Sequence, residues 1–228
     1  KSTQIELLRG ALAAAGCRVA VTREPGGDAV AEAIRGVLLA PEGPVDPRAE
    51  LLLFLASRAQ ATARVLRPQL RSHDVVLCDR FADSTIAYQG YGRGLDIDVI
   101  REMNRFATGG LEPDLTVLLD LDPEMGLSRQ RDGNRMEGEP IEFHRRVREG
   151  YLREALRHSR EFPDPWDGPD PGLRARLRQG AVSCGRYRIL DAARPAQDIH
   201  AEIVALVLPL LSENGWRVGT RPPQGGLP

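Results

Sequence analysis

Lysine is almost missing from this sequence: of 31 basic residues only Lys1 is lysine, and the rest are arginine. Such a skew follows genome composition as readily as chemistry, so a single arginine carries little weight alone. Cysteine is scarce as well. Cys17, Cys78 and Cys184 lie far apart; the odd count argues against a disulfide scaffold, and no metal-binding spacing appears. Two of them fall in apolar strand patterns, where they act as small hydrophobes. No apolar run is long enough to span a bilayer, and no signal-peptide pattern is seen. Neither charge sign is in excess: 31 basic against 32 acidic residues give a net charge of −1. That gives no reason to expect nucleic acid or a membrane as partner. A cytoplasmic protein is expected. No internal repeat breaks the chain, and 228 residues suit one α/β domain with a full core.

What is present centres on Asp79-Arg80-Phe81-Ala82-Asp83-Ser84-Thr85-Ile86-Ala87-Tyr88-Gln89-Gly90-Tyr91-Gly92-Arg93-Gly94. It follows the apolar run Val75–Cys78, which reads as a buried strand. Ligands of open α/β sheets bind beyond the carboxyl ends of the strands, where this carboxylate and guanidinium fall. Arg80 suits a bidentate hold on phosphate. Asp79 suits a magnesium ion, directly or through water. A hydroxyl pair, a phenol and an amide follow, able to read the polar edge of a ligand. An ordinary strand-end ion pair with a polar loop is the competing explanation for Asp-Arg alone.

Other stretches read in order. Lys1-Ser2-Thr3 opens a helix with apolar residues at Ile5, Leu7, Leu8, Ala11, Leu12 and Ala15, stopped by Gly16. Lys-Ser-Thr alone carries no motif, but opening a helix ahead of a strand and Thr22-Arg23-Glu24-Pro25-Gly26-Gly27 it reads as the tail of a phosphate-binding P-loop, whose lysine reaches the phosphates and whose hydroxyl holds magnesium. Arg18–Thr22 is a strand, and Glu24-Pro25-Gly26-Gly27 turns it into a helix over about 28–39. Asp46 and Pro47 suit N-cap and N1 of a long helix, Arg48 to about Ser72, with a kink at Pro68. Phe54 and Arg58, four apart, share a face of it. An aromatic plane with a guanidinium can stack on a base and donate to its edge, although a core Phe and a solvated Arg are the commoner outcome. Helices follow at 95–107, 123–131 and 141–160, with a buried strand over 115–121 between the first two. Arg129, Arg131 and Arg135 flank a Gly-Asn turn, which reads either as a solvated loop or as a cationic lid.

The central string, Thr22-Arg23-Glu24-Pro25-Gly26-Gly27 and Pro113–Leu121 together closely resemble bacterial thymidylate kinases, over most of residues 1–160 and again from about 186 to 211. The resemblance implies a P-loop nucleoside-monophosphate-kinase fold: α/β, a mainly parallel sheet with helices on both faces. It implies transfer of a phosphoryl group from ATP to dTMP, with Mg2+, in a homodimer whose interface is expected on the helix at 48–72. It assigns Glu24, Arg35, Phe54, Arg58, Arg80, Thr85, Tyr88 and Gln89 to the acceptor nucleotide, with Phe54 and Arg58 on the base and Tyr88 crowding the 2′ position. It assigns Lys1, Ser2, Thr3, Arg129, Arg131 and Arg194 to ATP, and Ser2 and Asp79 to the metal. Lys1, Arg80, Arg129 and Arg135 become the catalytic cations, Arg80 bridging the phosphates and a lid at about 129–140 closing over them. The resemblance also implies a strand and glycine-rich loop ahead of Lys1, so the chain is expected to lack them.

One stretch departs from the family. Phe162–Gly172 is rich in proline and acid, and about 163–183 is expected to be an exposed insertion with Trp166 as its anchor. Residues 187–191 form the last strand and a final helix ends near Leu211. The domain is thus placed at 1–212 with a disordered tail from 213. Two other readings compete: a kinase for another nucleotide or nucleoside on the same fold, and a truncated chain that binds nucleotide without catalysis.

Overall fold

A computed structural model describes residues 1–40, 43–129, 134–157 and 171–213. The Trp166 anchor, Arg131 and the tail from 214 lie outside those residues.

Helix starts are written into the sequence by aspartate. Asp28 accepts from Ala31 N–H at 2.8 Å at the head of α2 (Ala29–Leu39). Asp46 accepts from Arg48 N–H ahead of Pro47, the first residue of α3 (Pro47–Ala61). Asp96 caps α6 (Ile97–Thr108) and Asp122 caps α7 (Pro123–Ser128) in the same way. Each satisfies amides that the first turn leaves unpaired and places negative charge at the positive end of the helix. Gly109 ends α6 in the left-handed region, at φ 57°.

The long helix expected to Ser72 is there, with a change of register. A π-helical stretch, Thr62–Leu66, links α3 to α4 (Arg67–Ser72). It lies just ahead of Pro68, which has no N–H and crowds the carbonyl four residues back. A second π-helical stretch, Ile86–Gly92, continues α5 (Ala82–Thr85) through what the sequence presented as a polar string. It packs against α8 (Ile141–Leu156) at two glycines. A Cβ on Gly92 would stand 2.7 Å from the Phe143 ring, and one on Gly150 would stand 2.6 Å from that of Tyr91.

Among the described residues the strands form two short sheets. β1 (Val19–Arg23) pairs in parallel with β2 (Val75–Asp79), Arg23 opposite Asp79. β3 (Thr116–Asp120) pairs in parallel with β5 (Tyr187–Asp191), Asp120 opposite Asp191; β4 (Val182–Cys184) adds to β5 antiparallel. Helices cover both faces. Successive β5 residues Ile189 and Leu190 are fully buried on opposite sides. Ile189 packs with Leu152 and Leu156 of α8. Leu190 packs with Leu8 and Leu12 of α1 (Ser2–Ala14) and Ile199 and Ile203 of α10 (Ala196–Glu213).

The expected exposed insertion needs correction where it is described. α9 (Pro171–Leu177) and β4 join the body, with Leu173, Leu177 and Val182 buried against α8 and β5. Leu173 and Leu177 are one helical turn apart, so both reach the same core.

Candidate active site

The carboxyl ends of β1, β2, β3 and β5 open on one cavity of about 940 Å³. Its wall includes Lys1, Ser2 and Thr3 from the start of α1, Glu24, Arg35, Asp79 and Arg80, and Phe54 and Arg58 from α3. Thr85, Tyr88 and Gln89 line it too, as do Arg129 and Arg194. Most of the residues singled out in the sequence therefore meet in one space.

Cations crowd part of that wall. The neighbouring Arg80 guanidinium, and then burial, pull the Lys1 side-chain pKa below its ordinary value, while Asp79 opposes the shift. Burial, and then Arg23, lower that of Arg35, with Arg80 adding to the effect. Such a cluster awaits an anion. Arg80 is also the one non-glycine residue with positive φ among the described residues, at 72°. A left-handed side-chain-bearing residue costs about 1–2 kcal/mol and persists where its surroundings hold it. Here Cys78 Sγ donates to the Arg80 carbonyl at 3.0 Å, and Arg58 Nη2 donates to the next carbonyl, of Phe81, at 3.1 Å. Burial pushes the Cys78 thiol far up, so it stays a donor. The Arg80 guanidinium is aimed by two phenols, donating to Tyr151 at 3.0 Å and Tyr88 at 3.2 Å.

Arg58 is not the solvated arginine that spacing alone made the commoner outcome. It is 2 % exposed and donates from Nε to Glu24 at 2.8 Å and from Nη1 to Thr85 Oγ1 and Asn104 Oδ1 at 2.5 and 2.7 Å. With Phe81 counted, one N–H on Nη2 has no partner among the described residues and remains for the cavity. Glu24 keeps an oxygen, Oε1, that is buried and unpartnered among the described residues. Burial raises the Glu24 pKa, and Arg58 pulls it back. Phe54, half-buried one turn away, is free to offer its ring to the cavity.

The two described lid arginines separate. Arg129 is exposed on the cavity wall, donating to the Ala192 carbonyl at 3.3 Å. Arg135, expected to face the phosphates, is not on that wall. Its Nε donates to the Leu38 carbonyl at 3.0 Å and its Nη2 to Glu50 at 2.7 Å. A buried carboxylate outbids solvent for this guanidinium. Arg194 lines the cavity but is ion-paired to Glu202.

Sequence reasoning missed Tyr151 and Glu50. Glu50 had a signal: a carboxylate one turn before Phe54 on the stripe that carries Leu51 and Leu55. Tyr151 had none, because α8 meets Arg80, Ser84 and Tyr88 only in three dimensions.

A model of the thymidylate kinase family matches residues 1–162. The chain belongs to the thymidylate kinase family. It is 43 % identical over 224 residues to a thymidylate kinase of Nitratidesulfovibrio vulgaris, covering 93 % of this chain and 89 % of that one. It is 44 % identical over 210 residues to one of Deinococcus radiodurans, covering 91 % and 90 %. The crystal structure of thymidylate kinase from Ehrlichia chaffeensis superposes with a TM-score of 0.65 at 29 % identity, covering 91 % of this chain and 90 % of that one. The architecture is thus the P-loop nucleoside-monophosphate-kinase α/β fold of thymidylate kinases.

Proposed function

We propose that the protein transfers the γ-phosphoryl group of ATP to dTMP, giving dTDP and ADP. The observation that carries this reading is the single cavity in which an aromatic plane and amide (Phe54, Gln89) share a wall with a cation cluster (Lys1, Arg35, Arg80). Phe54 stacks on thymine, Gln89 and the spare N–H of Arg58 meet its edge, and Tyr88 borders the sugar. Glu24 accepts from the acceptor nucleotide. Arg35 holds the dTMP phosphate. Arg80, aimed by its two tyrosines, bridges the two nucleotides, and Arg129 and Lys1 meet the charge that develops on the transferred group. Ser2, Thr3 and Arg194 border ATP. In-line positioning and charge neutralisation suffice; no covalent intermediate is needed.

Mg2+ is part of this reading. No group of three or more acidic, histidine or cysteine side chains suited to a metal is found among the described residues. Magnesium fits nonetheless, because it keeps several waters and takes one or two protein groups plus substrate phosphates. Asp79 and Ser2, both on the wall, are those groups, and the ion would supply charge neutralisation. We place the enzyme in the cytoplasm as a homodimer. No described helix is long and apolar enough to cross a membrane, and a groove between α3 and α6, with Phe106 90 % exposed, suits a second copy.

An assay of ADP formation against a panel of nucleoside monophosphates tests the reading. dTMP is expected to be the preferred acceptor, and turnover of another monophosphate in preference to dTMP would overturn it.

A further inference from the structure

Glu50 stands behind the cavity wall without forming part of it, and it is fully buried. Its Oε1 accepts from Gln89 Nε2 at 2.8 Å and from Arg93 Nε at 3.1 Å. Its Oε2 accepts from Arg93 Nη2 at 3.1 Å and from Arg135 Nη2 at 2.7 Å. Burial alone would raise its pKa, but the hydrogen bonds from Arg93, Gln89 and Arg135 outweigh that and hold it below the usual value. An ionised carboxylate only accepts. The Gln89 nitrogen must therefore be the end that faces Glu50, and the carbonyl Oε1 must turn the other way. Gln89 lines the cavity, and its Oε1 takes no hydrogen bond among the described residues. A primary amide has nearly the same shape either way round, so without a neighbour of fixed polarity the ligand alone would choose its orientation.

We infer that Glu50 is a specificity-determining positioning residue: by holding the amide nitrogen of Gln89 it presents the carbonyl to the base, selecting pyrimidines with a hydrogen on N3 over those with a bare N3. The inference rests on dTMP as acceptor. Thymine donates from N3. The cytosine ring, of equal size, offers a lone pair there, and two acceptors set against each other leave both unpaired in a desolvated place. α3 carries Glu50, Phe54 and Arg58 on successive turns of one face. The ring that stacks and the group that orients the edge reader thus move as one body.

The test compares dTMP with 5-methyl-dCMP, which share the methyl group, sugar and phosphate and differ at position 4 and in the N3 proton. Calorimetric titration of the wild type should favour dTMP by about 100-fold or more, as for a site built around a substrate N–H. In Glu50→Gln the amide at 50 either donates or accepts, so Gln89 can turn over. The preference should fall at least about tenfold, with binding of 5-methyl-dCMP improved in absolute terms, a gain that general loosening would not produce. Glu50→Asp keeps a charge for Arg93 and Arg135 but draws back from Gln89, and should lower the preference with the fold intact by circular dichroism. An unchanged preference in either folded variant overturns the inference and leaves dTMP as acceptor. A wild type that does not bind dTMP overturns both.

Discussion

Tyr151 of α8 accepts a 3.0 Å hydrogen bond from Arg80 and donates its own hydroxyl hydrogen bond to Ser84 Oγ at 2.7 Å. Its pKa is pushed up to about 12 by burial, so the phenol stays protonated over the working range of pH. It acts on Arg80 as a fixed acceptor, and the ring stands edge-on to Tyr88 at 6.2 Å. Two phenols on one guanidinium fix its plane.

Replacing Tyr151 by Phe keeps the packing and removes one aim point. A hydrogen bond to a charged group contributes about 1.5–3 kcal/mol, so kcat should fall roughly tenfold or more. The KM for dTMP should move far less. Steady-state kinetics check this; a change confined to KM would show that Tyr151 serves ground-state binding instead. The slope of kcat against pH between 6 and 9 should not change.

Phe54 and Arg58, alike in the sequence, should separate in experiment. Phe54→Ala removes a half-buried ring and should weaken dTMP binding by about 1–3 kcal/mol, as for other base–aromatic contacts, with the fold nearly as stable as before. Arg58→Ala strands Glu24 as a buried charge, which costs about 3–5 kcal/mol of stability. Calorimetric titration and urea unfolding, run on both variants, distinguish the two effects. Equal urea midpoints would contradict this account of Arg58.

The same contrast holds for the lid arginines. Arg129→Ala should lower kcat by about 10²-fold, the scale of losing one donor to developing charge, without changing the melting temperature. Arg135→Ala should act on stability, by about 1.5–3 kcal/mol for a lost charged hydrogen bond. Thermal melts beside kinetics decide it, and the reverse pattern would return the catalytic role to Arg135.

Phe106 is 90 % exposed beside Leu52 at 55 %, over a groove floored by Leu55, Ala59 and Ala107. Apolar surface of this kind is rarely left to water. Phe106→Asp should convert a dimer to a folded monomer in sedimentation velocity. A wild type that sediments as a monomer at micromolar concentration would remove the dimer from the reading.

Much of this was legible in the sequence because it is local. Asp46 followed by Pro47 announces α3, and the apolar run before Asp120 announces β3. The π-helical stretch at 86–92 was not legible, since its register depends on Gly92 and Gly150 meeting rings from another helix. The helical turns over 173–179 were legible and appear as α9, but their burial and β4 were hidden by the proline-rich and acidic residues ahead of them, although Leu173 and Leu177 already had the spacing of a buried turn. In the site, the cavity residues came from short motifs. Arg135 was misplaced because a motif shows which charges are near in sequence, not which buried carboxylate will claim them.

Lys1, the single lysine of these 228 residues, stands on the cavity wall, with Arg80 and burial weakening its hold on a proton. An amine-selective reagent would therefore find its one side-chain target inside the site, and find it more nucleophilic than a solvated lysine. Within this sequence, side-chain labelling by such a reagent becomes a readout of occupancy: a bound anion should shield Lys1 and restore its proton, and the label should fade as the cavity fills.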